Sequence, residues 1–257
     1  METKPQVSFI IVNYNSRRFL RDCISSVKKN SASLSCEIII ANNDSDVLNF
    51  PEAKILSLKN NLGFGAGCNA GAKIAQGEIL CFLNPDTEIL ASIKKIINYF
   101  STDKRIGVIG PKLITQENKT QYWCAGVETN LWNILRNNLG FPKSKKIWNS
   151  QESVECDWVS GAALFIKKSV FREVQGFDED FFVYYEDEDL CKRVKEKRYK
   201  IIYFPEFTVR HFGGKSFENK KNQKESYYKS QDYYFKKHFG KISTNLLKLI
   251  RGLALIK

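Results

Sequence analysis

This sequence predicts an α/β fold, a mostly parallel sheet with helices on both faces, and three observations carry that reading. Short apolar runs rich in β-branched residues recur at 7–12 (VSFIIV), 37–40 (EIII) and 78–83 (EILCFL), the pattern of strands buried on both faces. Each run gives way to a polar stretch containing Asn and Asp. Helical spacing of apolar residues fills the intervals, and strands alternating with helices build such a sheet. The chain has 257 residues, 43% of them hydrophobic and 13% aromatic. That is ample to bury a core without disulfides or a structural metal, and it excludes disordered and fibrous classes.

The elements follow in order. After the strand at 7–12, Ser16 is a ready N-cap. Phe19, Leu20, Cys23, Ile24 and Val27 then recur at helical spacing, with Lys28 and Lys29 suited to a helix C-terminus. Residues 54–58 read as a third strand. Residues 61–71 (NLGFGAGCNAG) form a glycine-rich loop running into a small-residue helix that ends near Gly77. The strand at 78–83 stops at 84–87 (NPDT). A helix carrying Ile89, Ile93, Ile96, Ile97 and Phe100 is expected next, then a strand at 106–109. Ligands bind beyond the carboxyl ends of strands in such sheets, and Asn13, Asn15, residues 42–46 and residues 84–86 occupy three of those ends.

Residues 113–153 carry Trp123, Trp132, Trp148, Lys143, Lys145 and Lys146 with weak periodicity and read as an excursion over the sheet. Residues 158–166 are again strand-like, and Ser169 caps a short helix ending at Gly176. Seven acids within 177–189 precede a helix at 190–197, and residues 199–204 are a last strand. Beyond His211 the chain reads as helical and basic.

The net charge of +12 is uneven: residues 190–257 hold 18 basic and 5 acidic side chains, against 22 and 23 in the first 189. Such clustering points to a polyanionic neighbour, nucleic acid or an anionic membrane leaflet. Seven cysteines without a C-x-x-C pair suggest reduced thiols in a cytosolic protein. Residues 1–6 do not read as a secretory signal, and no stretch approaches the roughly 20 apolar residues of a spanning helix.

Several residues could carry chemistry. Asp86, just past a buried strand, could hold a divalent cation together with a diphosphate, or simply form a turn. In FFVYYEDEDL (181–190), four adjacent carboxylates repel one another, which favours a raised pKa and a general base at Glu186 or Asp187. Acids in a first helical turn also suit the helix dipole. His211 could complete a metal site or be packed structurally; His238 reads as a surface or capping residue. The glycines at 63, 65, 67 and 71 do not form G-x-G-x-x-G, and no G-K-[ST] follows, so a Walker ATPase is excluded; close packing of a helix on the sheet is the other use for them. Residues 241–257 put Leu246, Leu247, Leu249, Ile250, Leu253 and Ile256 largely on one side, fitting a basic amphipathic helix on anionic lipid, a helix packed on the domain, or a dimer contact. Residues 227–237 mix aromatic and basic side chains that could stack on bases, but no recognised nucleic-acid module is present.

Taken together and in order, VSFIIVNYNS, NNDS, NLGFGAGCNAG, FLNPDT, DWVSGAALFIKKS, GFDEDFFVYYEDEDLCKR and VRHFGGKS resemble a family-2 glycosyltransferase with a GT-A, Rossmann-like fold. The similarity is greatest to rhamnosyltransferase-like members of bacterial polysaccharide assembly and covers roughly residues 7–216. It implies a catalytic domain over 1–216; the basic helical segment over 217–257 lies beyond it, and its charge and apolar side suit either association with membrane or packing on the domain. It also implies inverting transfer of a sugar from a nucleotide diphosphate donor to a lipid-linked saccharide acceptor. The enzyme would sit peripherally at the inner face of the membrane and use Mn²⁺ or Mg²⁺. By resemblance dTDP-rhamnose leads as donor, with UDP-hexoses close behind.

The resemblance further implies that Asp86 and His211 are metal ligands and that Asp187, with Glu186 as the alternative, deprotonates the acceptor. Asn13, Asn42 and Asn43 would line the nucleoside pocket, with Asp44, Gly65 and Asn69 as further donor contacts. Trp158, Ser160 and Gly161 would border donor sugar and acceptor, and Arg193 would orient the acidic motif or meet a phosphate. Two positions depart from the family pattern: Asn42 stands where Asp is usual, and the metal motif begins with Asn84. A single-carboxylate site implies weak metal binding without the donor. Two other readings compete, a nucleotidyltransferase on a similar sheet and a non-catalytic nucleic-acid-binding protein.

Overall fold

The structure is a computed structural model that describes residues 4–58, 60–213 and 220–254. Its first half runs β1 (Val7–Asn13), α1 (Arg17–Ser31), β2 (Cys36–Asn42), β3 (Lys54–Ser57), α2 (Phe64–Ile74), β4 (Ile79–Leu83), β5 (Thr87–Ile89), α3 (Lys94–Thr102) and β6 (Ile106–Ile114). The second half adds β7 (Ala125–Gly126), α4 (Leu131–Asn138), α5 (Lys145–Trp148), β8 (Val154–Cys156), β9 (Trp158–Val159), β10 (Ala163–Lys167), α6 (Lys168–Glu173), α7 (Glu186–Glu196), β11 (Lys200–His211) and α8 (Lys220–Ala254).

Among the described residues the main sheet has the order β3-β2-β1-β4-β10-β6-β11-β5, with β8 also paired to β11. β1 to β4 are mutually parallel, as is the β6–β11 pair. β10, β5 and β8 run antiparallel. β1 and β4 are buried along their whole lengths, as their continuous apolar runs require of strands covered on both faces. The small residues of α2 serve that packing: a Cβ on Gly71 would come 2.5 Å from Ile10 Cγ2, and one on Gly67 would come 2.9 Å from Val12. The glycine-rich segment is therefore a close helix–sheet contact.

Three local expectations are corrected. Ile89 lies in β5 and not in the helix after it, because residues 87–89 pair with β11 and bury Ile89 beneath the sheet edge; α3 begins only at Lys94. Residues 113–153 are a built part of the domain, with α4 capped by Asn130, whose Oδ1 accepts the Asn133 N–H at 2.9 Å. Trp148 is buried there and donates from Nε1 to the Ala125 carbonyl at 2.6 Å. Elements of two to eight residues are too short to show a period. His238 is half-buried instead of sitting at the surface, its side chain turned inward to face Asp189 at 2.8 Å.

α8 is broken at Gly240, whose φ of 80° and ψ of 175° no helix contains. The second half folds back on the first: Arg251 Nη2 donates to Gln231 Oε1 at 2.8 Å and meets Asp232 Oδ1 at 2.6 Å. Tyr234, Phe235 and Leu247 join Phe181 and Tyr185 in a second apolar cluster. Of the predicted apolar side, Leu247 turns inward and Ile250 is half-buried, while Leu246 and Leu249 remain exposed. Leu253 and Ile256 lie outside the residues whose side chains are described. No helix among the described residues is long and apolar enough to cross a membrane. All seven cysteines are free.

Candidate active site

The carboxyl ends of β1 and β4, the turn before β10, the start of α7 and part of α8 surround one cavity of about 1220 Å³. The order of the sheet brings its parts together. Antiparallel pairing of β5 with β11 sets Thr87 opposite His211, and the Phe212 N–H donates to the Asp86 carbonyl at 3.0 Å. His211 Nε2 thereby comes to 3.4 Å from Asp86 Oδ1 and 3.3 Å from Asn84 Nδ2. On the far side of the ring, Nδ1 faces Gln121 Oε1 at 3.0 Å. An amide oxygen can only accept, so that contact holds the proton on Nδ1 and leaves the Nε2 lone pair directed at the Asp86 side.

One carboxylate and one imidazole nitrogen fit a divalent cation whose remaining positions are filled by phosphate oxygens and water. Among the described residues no group of three or more His, Cys, Asp and Glu side chains gathers to hold such an ion, here or elsewhere. The fit therefore depends on the donor completing the site.

The acidic motif is aimed by strained backbone. Tyr184 and Tyr185 adopt φ of 71° and 68°, the left-handed region that bulky residues rarely enter, and the chain turns there into α7. Asp187 is then fixed by two donors: its Oδ2 accepts the Gly161 N–H at 2.8 Å and its Oδ1 the Glu188 N–H at 2.9 Å. Burial pushes its pKa up, opposed by those two hydrogen bonds. Glu186 is buried, and its Oε2 has no partner among the described residues; burial and the Asp187 charge push it well above the usual carboxylate range. Glu188 is pushed up to about 8, chiefly by burial, against a hydrogen bond from Thr129.

The motif and the Asp86–His211 pair are joined through one turn. Gly161 binds Asp187, and the next residue, Ala162, accepts the Asn84 N–H at 2.9 Å. A metal-type pair and a carboxylate of raised pKa thus share one wall, with Trp158, Ser160 and Gly161 lining the same cavity.

The other predicted residues separate into two groups. Asn43 lines the cavity with Tyr14 and Asn15. Asn13 and Asn42 sit beneath it: Asn13 Nδ2 donates to Asn42 Oδ1 at 2.8 Å, and Asn42 Nδ2 donates to the carbonyls of Asp44 and Asp46. They shape the loop as supports and do not reach the cavity. Asp44 accepts the Asn15 N–H at 3.0 Å. Gly65 faces Phe177, and Asn69 exchanges two 2.9 Å hydrogen bonds with the Phe177 backbone, clamping the segment before the acidic motif.

Of the two roles expected for Arg193, contact with the acidic motif fits and contact with a phosphate does not: it lies off the cavity, 2.7 Å from Asp189 and bonded to the Val174 carbonyl, because one helical turn after Asp189 it faces the protein interior. Asp189 itself is fully buried and also meets Lys237 at 2.6 Å and His238 at 2.8 Å. Burial alone would raise its pKa, but the hydrogen bond to His238 and the charges of Arg193 and Lys237 bring it down to about 2. Gln121, Trp123, Tyr227, Tyr228 and Arg251 were not foreseen as parts of the site. Gln121 and Arg251 reach it only through contacts about 90 and 20 residues away in sequence, and no local pattern signals them.

Residues 8–170 match the family described as glycosyl transferase family 2, and residues 146–214 match the N-terminal domain of galactosyltransferase. An N-acetylglucosaminyl-diphospho-decaprenol L-rhamnosyltransferase of Mycobacterium tuberculosis is 27% identical over 187 residues, covering 64% of this chain and 60% of that protein. The low-salt glycan biosynthesis hexosyltransferase Agl10 of Haloferax volcanii is 22% identical, covering 76% and 63%. This chain thus spans under two thirds of the length of these relatives. Among solved structures, GalNAc-T7 with UDP, GalNAc and Mn²⁺ superposes with a TM-score of 0.64 at 16% identity, covering 99% of this chain and 55% of that one. TarS of S. aureus superposes at 0.58 with 15% identity, covering 89% and 38%. These likenesses show the GT-A fold.

Proposed function

The chain belongs to glycosyl transferase family 2, and from that premise we propose an inverting, metal-dependent transferase that moves a sugar from a nucleoside diphosphate donor to a lipid-linked saccharide at an anionic membrane. The observation that carries the reading is the shared wall, where Gly161 and Ala162 tie Asp187 to the Asn84–Asp86 turn and His211. An inverting displacement needs its base across the sugar from the departing diphosphate, and these groups border one cavity. The rhamnosyltransferase likeness makes dTDP-rhamnose the leading donor and a diphospho-polyprenol saccharide the leading acceptor.

In this reading Asn43, Tyr14 and Asn15 receive the nucleoside, with Asn13 and Asn42 holding their loop. Asp86 and His211 Nε2 would hold the cation, with Gln121 Oε1 facing Nδ1 on the other side of the ring. A bound divalent cation offsets the charge that develops on the departing nucleoside diphosphate. Asp187 accepts the acceptor hydroxyl proton as the new glycosidic bond forms. Its two hydrogen bonds fix its place in the cavity wall, and its raised pKa strengthens it as a base. Glu186, favoured in its protonated form, lowers the negative charge beside it.

The test is nucleoside diphosphate release from a panel of sugar nucleotides, with and without Mn²⁺ or Mg²⁺, for wild type and Asp86→Ala, in the presence of a diphospho-lipid saccharide. Metal-dependent release from one donor, lost in the variant, is expected. Pyrophosphate release from nucleoside triphosphates instead would favour a nucleotidyltransferase and overturn the proposal.

A further inference from the structure

Two helices on the rim of the cavity face two ways. α4 contributes Asn133, Ile134 and Asn137 to the cavity wall, and the second half of α8 contributes Leu247, Ile250 and Arg251. The two helices pack on each other, Leu131 and Ile134 lying against the cluster that contains Leu247. Their opposite sides carry large apolar side chains in water. Trp132 is 62% exposed, Phe141 70%, Ile242 78% and Leu249 65%, with Leu139 and Leu246 between them. Ile242, Leu246 and Leu249 recur at four and three residues, one stripe of a helix.

A soluble surface does not ordinarily gather so many apolar side chains on adjoining elements. The charge around them names the occupant. Residues 131–149 and 233–252 contain no Asp or Glu, while Lys143, Lys145, Lys146 and Lys241 stand exposed among the apolar groups, as does Lys248, which also meets Asp232 at 3.4 Å. Apolar side chains ringed by ammonium groups match the interface of a bilayer with anionic headgroups. A dimer contact would leave these like charges facing one another.

We propose that α4, the 139–146 connection and the second half of α8 form one membrane-docking surface that seats the rim of the cavity at headgroup level. Because the same helices border the cavity on one side, with Asn133, Asn137 and Arg251 among their lining residues, and carry exposed apolar residues on the other, a saccharide tethered to lipid by a diphosphate enters without leaving the membrane plane. The inference rests on the reading of the cavity as a site for a lipid-linked acceptor, and it extends that surface beyond the C-terminal segment.

The test is flotation of the full chain with vesicles of phosphatidylglycerol and phosphatidylcholine, and with phosphatidylcholine alone. Wild type is expected to bind the anionic vesicles and to be released by salt. The double variants W132S/F141S and L246S/L249S should each lower that affinity by about tenfold or more, from lost apolar insertion. A variant with Lys143, Lys145 and Lys146 changed to Gln should lose the preference for anionic lipid, and Ile74→Ser, an exposed apolar residue on α2, should bind as wild type does. All substituted side chains are exposed, so folding is spared. Wild type that fails to float, or α4 variants that float like wild type, would overturn the proposal. So would self-association that the same variants abolish without any vesicle binding. Donor binding by the variants separates the two readings: vesicle binding lost with donor binding kept supports the surface, whereas a chain that docks on vesicles but transfers nothing counts against the site reading alone.

Discussion

Asp189→Asn should uncouple α8 from the rest of the molecule, and its cost can be worked from the structure. The carboxylate is inaccessible to solvent and is shared by Arg193 at 2.7 Å, Lys237 at 2.6 Å and His238 at 2.8 Å. Its pKa of about 2 against an ordinary 3.8 corresponds to about 2 kcal/mol of stability at neutral pH. Breaking a buried charge pair on one side costs about 3–5 kcal/mol, but Asn keeps the shape and one acceptor, so a loss of about 2–4 kcal/mol is expected. At about 2–4 °C per kcal/mol for a chain of this size, Tm should fall by roughly 4–16 °C at pH 7. The sign of the pH dependence follows from the lowered pKa: the contribution is complete above pH 3.8 and is lost as pH falls through about 2. Thermal unfolding of wild type and variant across that range is the assay. Equal Tm values at pH 7, or a gap that does not narrow in acid, would refute the account of Asp189 as the anchor of α8.

Four other outcomes are expected. Asp187→Asn should lower kcat by about 10²- to 10⁴-fold while donor Kd stays within about twofold; lost donor affinity in a titration would remove the base assignment. Gln121→Ala should weaken Mn²⁺-dependent donor binding by about 10- to 100-fold, as loss of an outer partner of a ligating His does, and calorimetry with and without metal would read it. Glu188→Gln should flatten stability against pH: the folded pKa of about 8 lies above the ordinary 4.5, so wild type loses this contribution as pH rises through 8 and the variant does not. Gly71→Ala should destabilise by about 1–3 kcal/mol through overpacking, since its Cβ would meet Ile10 Cγ2 at 2.5 Å; an unchanged denaturant midpoint would contradict the close approach of α2 to β1.

Local pattern alone determined the strands β1, β2 and β4, the helix α1 and the placement of polar residues at their carboxyl ends, because a strand buried on both faces must be continuously apolar and a half-buried helix must repeat every three to four residues. It offered Asp86, His211 and the acidic run only as candidates, beside a turn, a packed histidine and helix capping, and the family resemblance supplied their proposed roles. What it could not contain was their meeting. His211 reaches Asp86 only because β11 pairs antiparallel with β5, a pairing that also turned Ile89 from helix to strand. Arg193 and Asp189 look like part of the acidic site in sequence, yet one helical turn rotates them to the buried side, where His238 from a distant helix completes the set. Periodicity reports which face of an element is apolar, not which neighbour covers it. Folding back of α8 at Gly240 therefore decided which of its leucines pack inward and which remain in water, and that is a property of the tertiary structure alone.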